Sequence, residues 1–193
     1  MGARRNLQLL VLALLVVAAM LLPSVGRATG GRYAFAGGTP RQQAEVARAL
    51  AASSFDWDIV PVSVTIHIHR GVLSHATPGE IWLDADLLDA GPVAWGGVVQ
   101  HEYAHQVDFF LLTTAARAHL LRQLGATVWC PQTDSRRDQL GCERFASALA
   151  WAFWPSADNC MRPEGARPAW TARFRKLVSG LIETNNRRAE GDR

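Results

Sequence analysis

Between Val98 and Phe110 the chain reads VVQHEYAHQVDFF, an apolar run broken by His101, Glu102 and His105. No other stretch restricts the fold as much. An apolar segment seeks the interior, and a polar group taken there without a partner costs about 1–3 kcal/mol, more if charged. His101 and His105 stand four apart, so on a helix they project from one face on successive turns. Two imidazoles so placed can bind one zinc ion, and Glu102 beside them can hold and deprotonate a water on that ion. The bland alternative is two core histidines and a glutamate that satisfy one another. Pro92 suits a helix start, and the apolar pattern continues to Gly125, which predicts one long helix. Gly96 and Gly97 each weaken that helix by about 1 kcal/mol relative to alanine, which implies a neighbour packed close against them.

A zinc ion that keeps a position open for water needs a third protein ligand. One common pattern places a histidine six residues after His105, beyond a glycine; here Leu111 and Asp108 occupy those places. The carboxylates between Arg117 and Pro155 are Asp134, Asp138 and Glu143. Asp134 and Asp138 flank Arg136 and Arg137 in polar sequence and read as solvated. Glu143 interrupts the apolar helical stretch CERFASALAWAFW, where a lone carboxylate needs a partner. It is the expected third ligand. His67 and His69 share one face of a strand, and an H-x-H pair can bind metal, but the polar face of a half-buried strand is the simpler reading.

HEYAHQVD, followed 38 residues after His105 by ERFA, resembles the gluzincin metallopeptidases. Within them it is most similar to lethal-factor-like catalytic domains, over about Glu80 to Trp154. The resemblance implies an α+β, zincin-like fold, with a small antiparallel or mixed sheet packed on the motif helix and a second helix supplying a Glu ligand. It implies one Zn2+ ion held by His101, His105 and Glu143, with Glu102 as general base and a peptide or protein as substrate. It also implies that EIWLDA is the sheet edge on which an extended substrate pairs. Members of the group add a Tyr or His that stabilises the tetrahedral oxyanion. Tyr103 is turned away from the ligand face and is expected to pack, which leaves Tyr33, His75, Arg136 and Arg137 as candidate donors. Ser147 stands where the related E-x-x-x-D pattern has its aspartate, so support for the histidines is expected elsewhere. Asp108 is the nearest candidate, with a solvated or capping role as its alternative. The expected function is that of an exported zinc-dependent metallopeptidase. The alternatives are a secreted zinc-binding module with little or no turnover, and an amidase acting on cell-wall peptides.

Arg4 and Arg5 precede an apolar run from Leu9 to Leu22, then Pro23 and the small-residue stretch VGRATG. This is the pattern of a signal peptide over residues 1–28, or of an uncleaved membrane anchor; residues 29–193 form a single domain. The basic excess sits largely in that leader. Without Arg4, Arg5 and Arg27 the chain carries 17 basic and 17 acidic residues, which gives no reason to expect a nucleic-acid partner. Export also permits a disulfide among Cys130, Cys142 and Cys160, and the two cysteines in loop-like sequence, Cys130 and Cys160, are the expected pair. Thr39 and Pro40 mark a helix start, whereas residues 29–38, rich in glycine, read as irregular. VPVSVTIHIH and EIWLDA read as strands, joined antiparallel through a turn at SHATPG. A last amphipathic helix is expected from about Trp170 to Glu183.

Overall fold

The computed structural model describes residues 31–130 and 139–191. The leader expected over residues 1–28 lies outside this range, as do Arg136 and Arg137. Four strands form one sheet in the order β1-β2-β4-β3: β1 (Tyr33–Gly37), β2 (Val64–His69), β3 (His75–Thr77) and β4 (Glu80–Asp84). Six α-helices accompany them among the described residues: α1 (Pro40–Ala52), α2 (Ala85–Asp89), α3 (Pro92–Leu111), α4 (Thr114–Leu124), α5 (Gly141–Phe153) and α6 (Pro168–Gly191). The result is the expected α+β class with a small mixed sheet.

Several expectations about the elements are corrected. The glycine-rich stretch before Thr39 is not irregular, because Tyr33 to Gly37 pair in parallel with Val64 to Ile68. Gly37 and Gly38, at φ of +84° and +74°, end this strand and turn the chain toward α1. Next, β2 and β4 are parallel neighbours, not antiparallel ones. SHATPG holds a strand of its own, β3, which reverses at Gly79 and runs antiparallel to β4. EIWLDA is therefore flanked on both sides, and β3 occupies the sheet edge. Finally, the long helix divides. Leu112 and Thr113 leave helical geometry, and the Thr113 hydroxyl caps α4 by accepting from the Ala116 amide at 3.2 Å. The last helix begins at Pro168 and runs on to Gly191, past the expected Glu183.

Alternation decides which face of the sheet is buried. Val64, Ile66 and Ile68 of β2, with Ile81 and Leu83 of β4, are buried and share one hydrophobic cluster with Val46, Ala49 and Leu50 of α1. From α3 the same cluster takes Val99, Tyr103, Ala104 and Val107; from α5 it takes Phe145, Ala146, Ala148, Leu149 and Ala152. A run of small residues on α5 lets that helix lie close to α3. The expected close neighbour of Gly96 and Gly97 is the segment after α5. A Cβ on Gly96 would meet the Trp154 ring at 2.7 Å, and one on Gly97 would meet Asn159 Oδ1 and, at 2.9 Å, Met161 Cγ. Asn159 holds that segment in place by donating to the carbonyls of Ala150 (3.0 Å) and Trp154 (2.9 Å) and accepting from the Met161 amide (2.9 Å).

Candidate metal centre

From Val99 to Asp108 every residue of α3 is buried, so the polar ones among them need partners. His101, Glu102 and His105 are buried at 8%, 6% and 7% relative exposure. The facing helix, α5, brings Glu143 in its first turn. His101 Nε2 lies 3.2 Å from Glu143 Oε2 and 3.2 Å from His105 Nε2, and His105 Nε2 lies 3.7 Å from Glu143 Oε1. His101, His105 and Glu143 thus form a group that could hold a metal ion. These three are the ligands expected from the sequence, and the fold brings them together across 38 residues of chain between His105 and Glu143. Glu102 lies in the same buried turn of α3.

The expectation that support for the histidines lies away from Ser147 is corrected, because Ser147 is itself the residue beside His101. Ser147 Oγ sits 3.1 Å from His101 Nδ1 and donates to Met161 Sδ at 3.7 Å. A hydroxyl that donates to sulfur has its oxygen free to accept from an Nδ1–H, and in that tautomer the Nε2 lone pair of His101 would face Glu143 and His105. The signal was available: Ser147 is one helical turn beyond Glu143, on the same face. Gln106 is fully buried and grips the β3–β4 turn. Its Oε1 accepts from the Gly79 amide at 2.8 Å, while Nε2 donates to the carbonyls of Thr77 (2.9 Å) and Glu80 (3.1 Å). A glutamine inside an apolar helix was the only hint of it.

Asp108 does not support the histidines as expected. Its carboxylate accepts from Arg117 Nε at 2.7 Å and from Trp129 Nε1 at 2.9 and 3.1 Å. Burial pushes its pKa up, and the Trp129 and Arg117 hydrogen bonds and the Arg117 charge oppose that. Asp108 therefore ties α3 to α4 and to the segment that follows it.

The candidate oxyanion donors within the described residues are placed elsewhere. Tyr33 is buried at the start of β1, with its ring against Phe35 at 5.3 Å and its pKa raised by burial. Tyr103 packs, as expected: its ring meets Trp57 at 5.2 Å, its hydroxyl donates to the Arg32 carbonyl at 3.3 Å, and burial raises its pKa. His75 stands on the sheet face opposite to Ile81 and Leu83, stacked on Trp82 at 4.6 Å, with Nδ1 2.8 Å from the Leu73 carbonyl. His67 stacks on the other side of Trp82 at 4.8 Å, beside Glu80 and His69, so the polar-face reading of His67 and His69 describes their position.

The expected cysteine pairing is overturned. Cys130 is bonded to Cys142, with Cα atoms 5.7 Å apart, and Cys160 is a free, exposed thiol. The segment after α4 doubles back onto the start of α5, which the loop-like look of Cys160 could not reveal. A cleft of about 700 Å³ passes Glu143 and Ser147 and is lined further by Arg144, Met161 and Trp170. No helix among the described residues is long and apolar enough to cross a membrane. No protein-family model, curated protein or solved structure matches the chain.

Proposed function

We propose that this protein is a zinc-dependent metallopeptidase of the gluzincin kind, acting on a peptide or protein outside the cytoplasm. The observation that carries the reading is the triangle of donor atoms. Zinc–nitrogen and zinc–oxygen distances of about 2.0–2.1 Å in a tetrahedral site place neighbouring ligand atoms about 3.3 Å apart. The separations of 3.2, 3.2 and 3.7 Å lie close to that value. Three protein ligands leave the fourth position for water and substrate.

A zinc ion held there supplies Lewis acidity, polarising a carbonyl and making water a stronger acid at neutral pH. Glu102 is the group that takes the proton from the attacking water and delivers it to the leaving amine. Ser147 holds His101 in the tautomer that presents Nε2. The cleft beside Glu143 and Ser147 is the place for substrate chain, with Trp170 and Met161 offering apolar surface. Export rests on the leader pattern of residues 1–28, with which the Cys130–Cys142 disulfide accords.

Glu102→Gln tests the mechanism. Bound zinc should stay at one ion per chain while hydrolysis of a broad peptide library falls at least 10²-fold. Unchanged hydrolysis sinks the role of Glu102. Zinc binding without any cleavage by the wild-type protein favours the secreted binding module. Cleavage restricted to cell-wall peptides favours the amidase.

A further inference from the structure

Helix α5, which carries Glu143, begins without a side-chain cap. The amides of Gly141 and Cys142 donate instead to the carbonyls of Val128 (2.9 Å) and Trp129 (3.1 Å). Arg144 reaches the carbonyls of Leu124 (2.9 Å) and Gly125 (2.8 Å), and Asp108 anchors the Trp129 indole. The disulfide closes this patch one residue before Glu143. One sulfur belongs to a fully buried residue, Cys142, and the other to an exposed one, Cys130.

The sulfurs of Cys130 and Cys142 and a carboxylate oxygen of Glu143 all lie within 4.8 Å of one another. Glu143 therefore belongs to two donor groups, one with the histidines and one with the cysteines. While the disulfide is closed its sulfurs are poor ligands, because the thiolate is the metal-binding form. Once opened, two thiolates need a separation of about 3.8 Å to share a tetrahedral zinc ion at about 2.3 Å from each. Backbones already 5.7 Å apart at Cα can provide that spacing. Thiolate is also the softer donor, which zinc and cobalt accept readily.

We propose that reduction of Cys130–Cys142 creates a second metal site, built from the two thiolates and Glu143, which competes with the histidine pair for that carboxylate. The competition rests on the proposed histidine–glutamate centre; the thiolate site does not. A phosphine serves as reductant. It gives two electrons to the S–S bond, water supplies the two thiol protons and the oxygen of the phosphine oxide, and Cys130 is the exposed residue of the pair. On metal binding each thiol proton passes to solvent and each sulfur donates a lone pair.

Cobalt(II) added without oxygen to the full chain reads this directly, since cobalt–thiolate bonds give an intense near-ultraviolet charge-transfer band. The oxidised protein should bind cobalt without that band. The phosphine-reduced protein should show it, as should reduced Cys160→Ser, whereas Cys130→Ser should lose it. Absence of the band from reduced wild-type protein that keeps its helical circular dichroism overturns the proposal, and so does its loss in Cys160→Ser. Reduced His101→Ala/His105→Ala should keep the band. Failure of oxidised wild-type protein to bind cobalt counts against the histidine–glutamate centre alone.

Discussion

At the scale of single residues, the candidate ligands and the residues behind them differ in how they announce themselves. His101 and His105 are legible because a four-residue spacing on a helix has one geometric meaning. Glu143 is legible because a carboxylate in an apolar run needs an explanation. Ser147 is not, since a serine among alanines looks like any small helix residue until Met161 and His101 stand on either side of it. Its role leads to a prediction. Ser147→Ala removes the hydroxyl that stands 3.1 Å from His101 Nδ1 and leaves a methyl group in nearly the same volume. Metal affinity should fall about 10–100-fold, the usual loss when a group behind a ligating histidine is removed. The unfolding midpoint of the metal-free protein should change little. Titration with a competing chelator measures the first, and a denaturant melt the second. An unaltered affinity would mean that the hydroxyl does not orient His101.

At the scale of elements, each departure from the sequence reading follows from a contact remote in sequence. β1 exists because Tyr33 to Gly37 find β2 beyond a whole helix, and short glycine-bounded strands carry little periodicity of their own. The parallel pairing of β2 and β4 depends on β3, three residues that local pattern reads as a turn. The long helix parts at Thr113, where neither glycine nor proline warns of it and only a threonine cap marks the new start. Gly96 and Gly97 show the opposite case. Their cost in an apolar helix predicted a close neighbour, and the neighbour is the Trp154–Met161 segment. Gly97→Ala should therefore push against Asn159 and Met161, costing about 1–3 kcal/mol as overpacking does. Because Met161 backs Ser147, metal affinity should fall with it. Gly180→Ala, on α6 with open space around it, is the matched control and should not destabilise the fold. Equal melting of the two variants would refute the packing account.

At the scale of the whole molecule, α3 is the member to which most other parts are fastened. Gln100 reaches α1 through the Ala49 carbonyl at 2.7 Å, Gln106 holds the β3–β4 turn, and Asp108 holds Arg117 and Trp129. Its two glycines receive the segment after α5, and its two histidines face Glu143. A metal ion at the histidine–glutamate group would join α3 to α5 by bonds absent from the unfolded chain, so its binding energy would become folding energy. With free zinc at one hundred times its dissociation constant the gain is about 2.7 kcal/mol. For a chain of this length that corresponds to a rise in melting temperature of about 5–10 °C. Chelation of the wild-type protein should lower the midpoint by that amount, and restoring zinc should reverse it. Glu102→Gln should show the same shift, since it leaves all three ligands in place, while His105→Ala should show little or none. A midpoint indifferent to chelator in wild-type protein freshly loaded with zinc would mean that the three side chains satisfy one another and hold no ion.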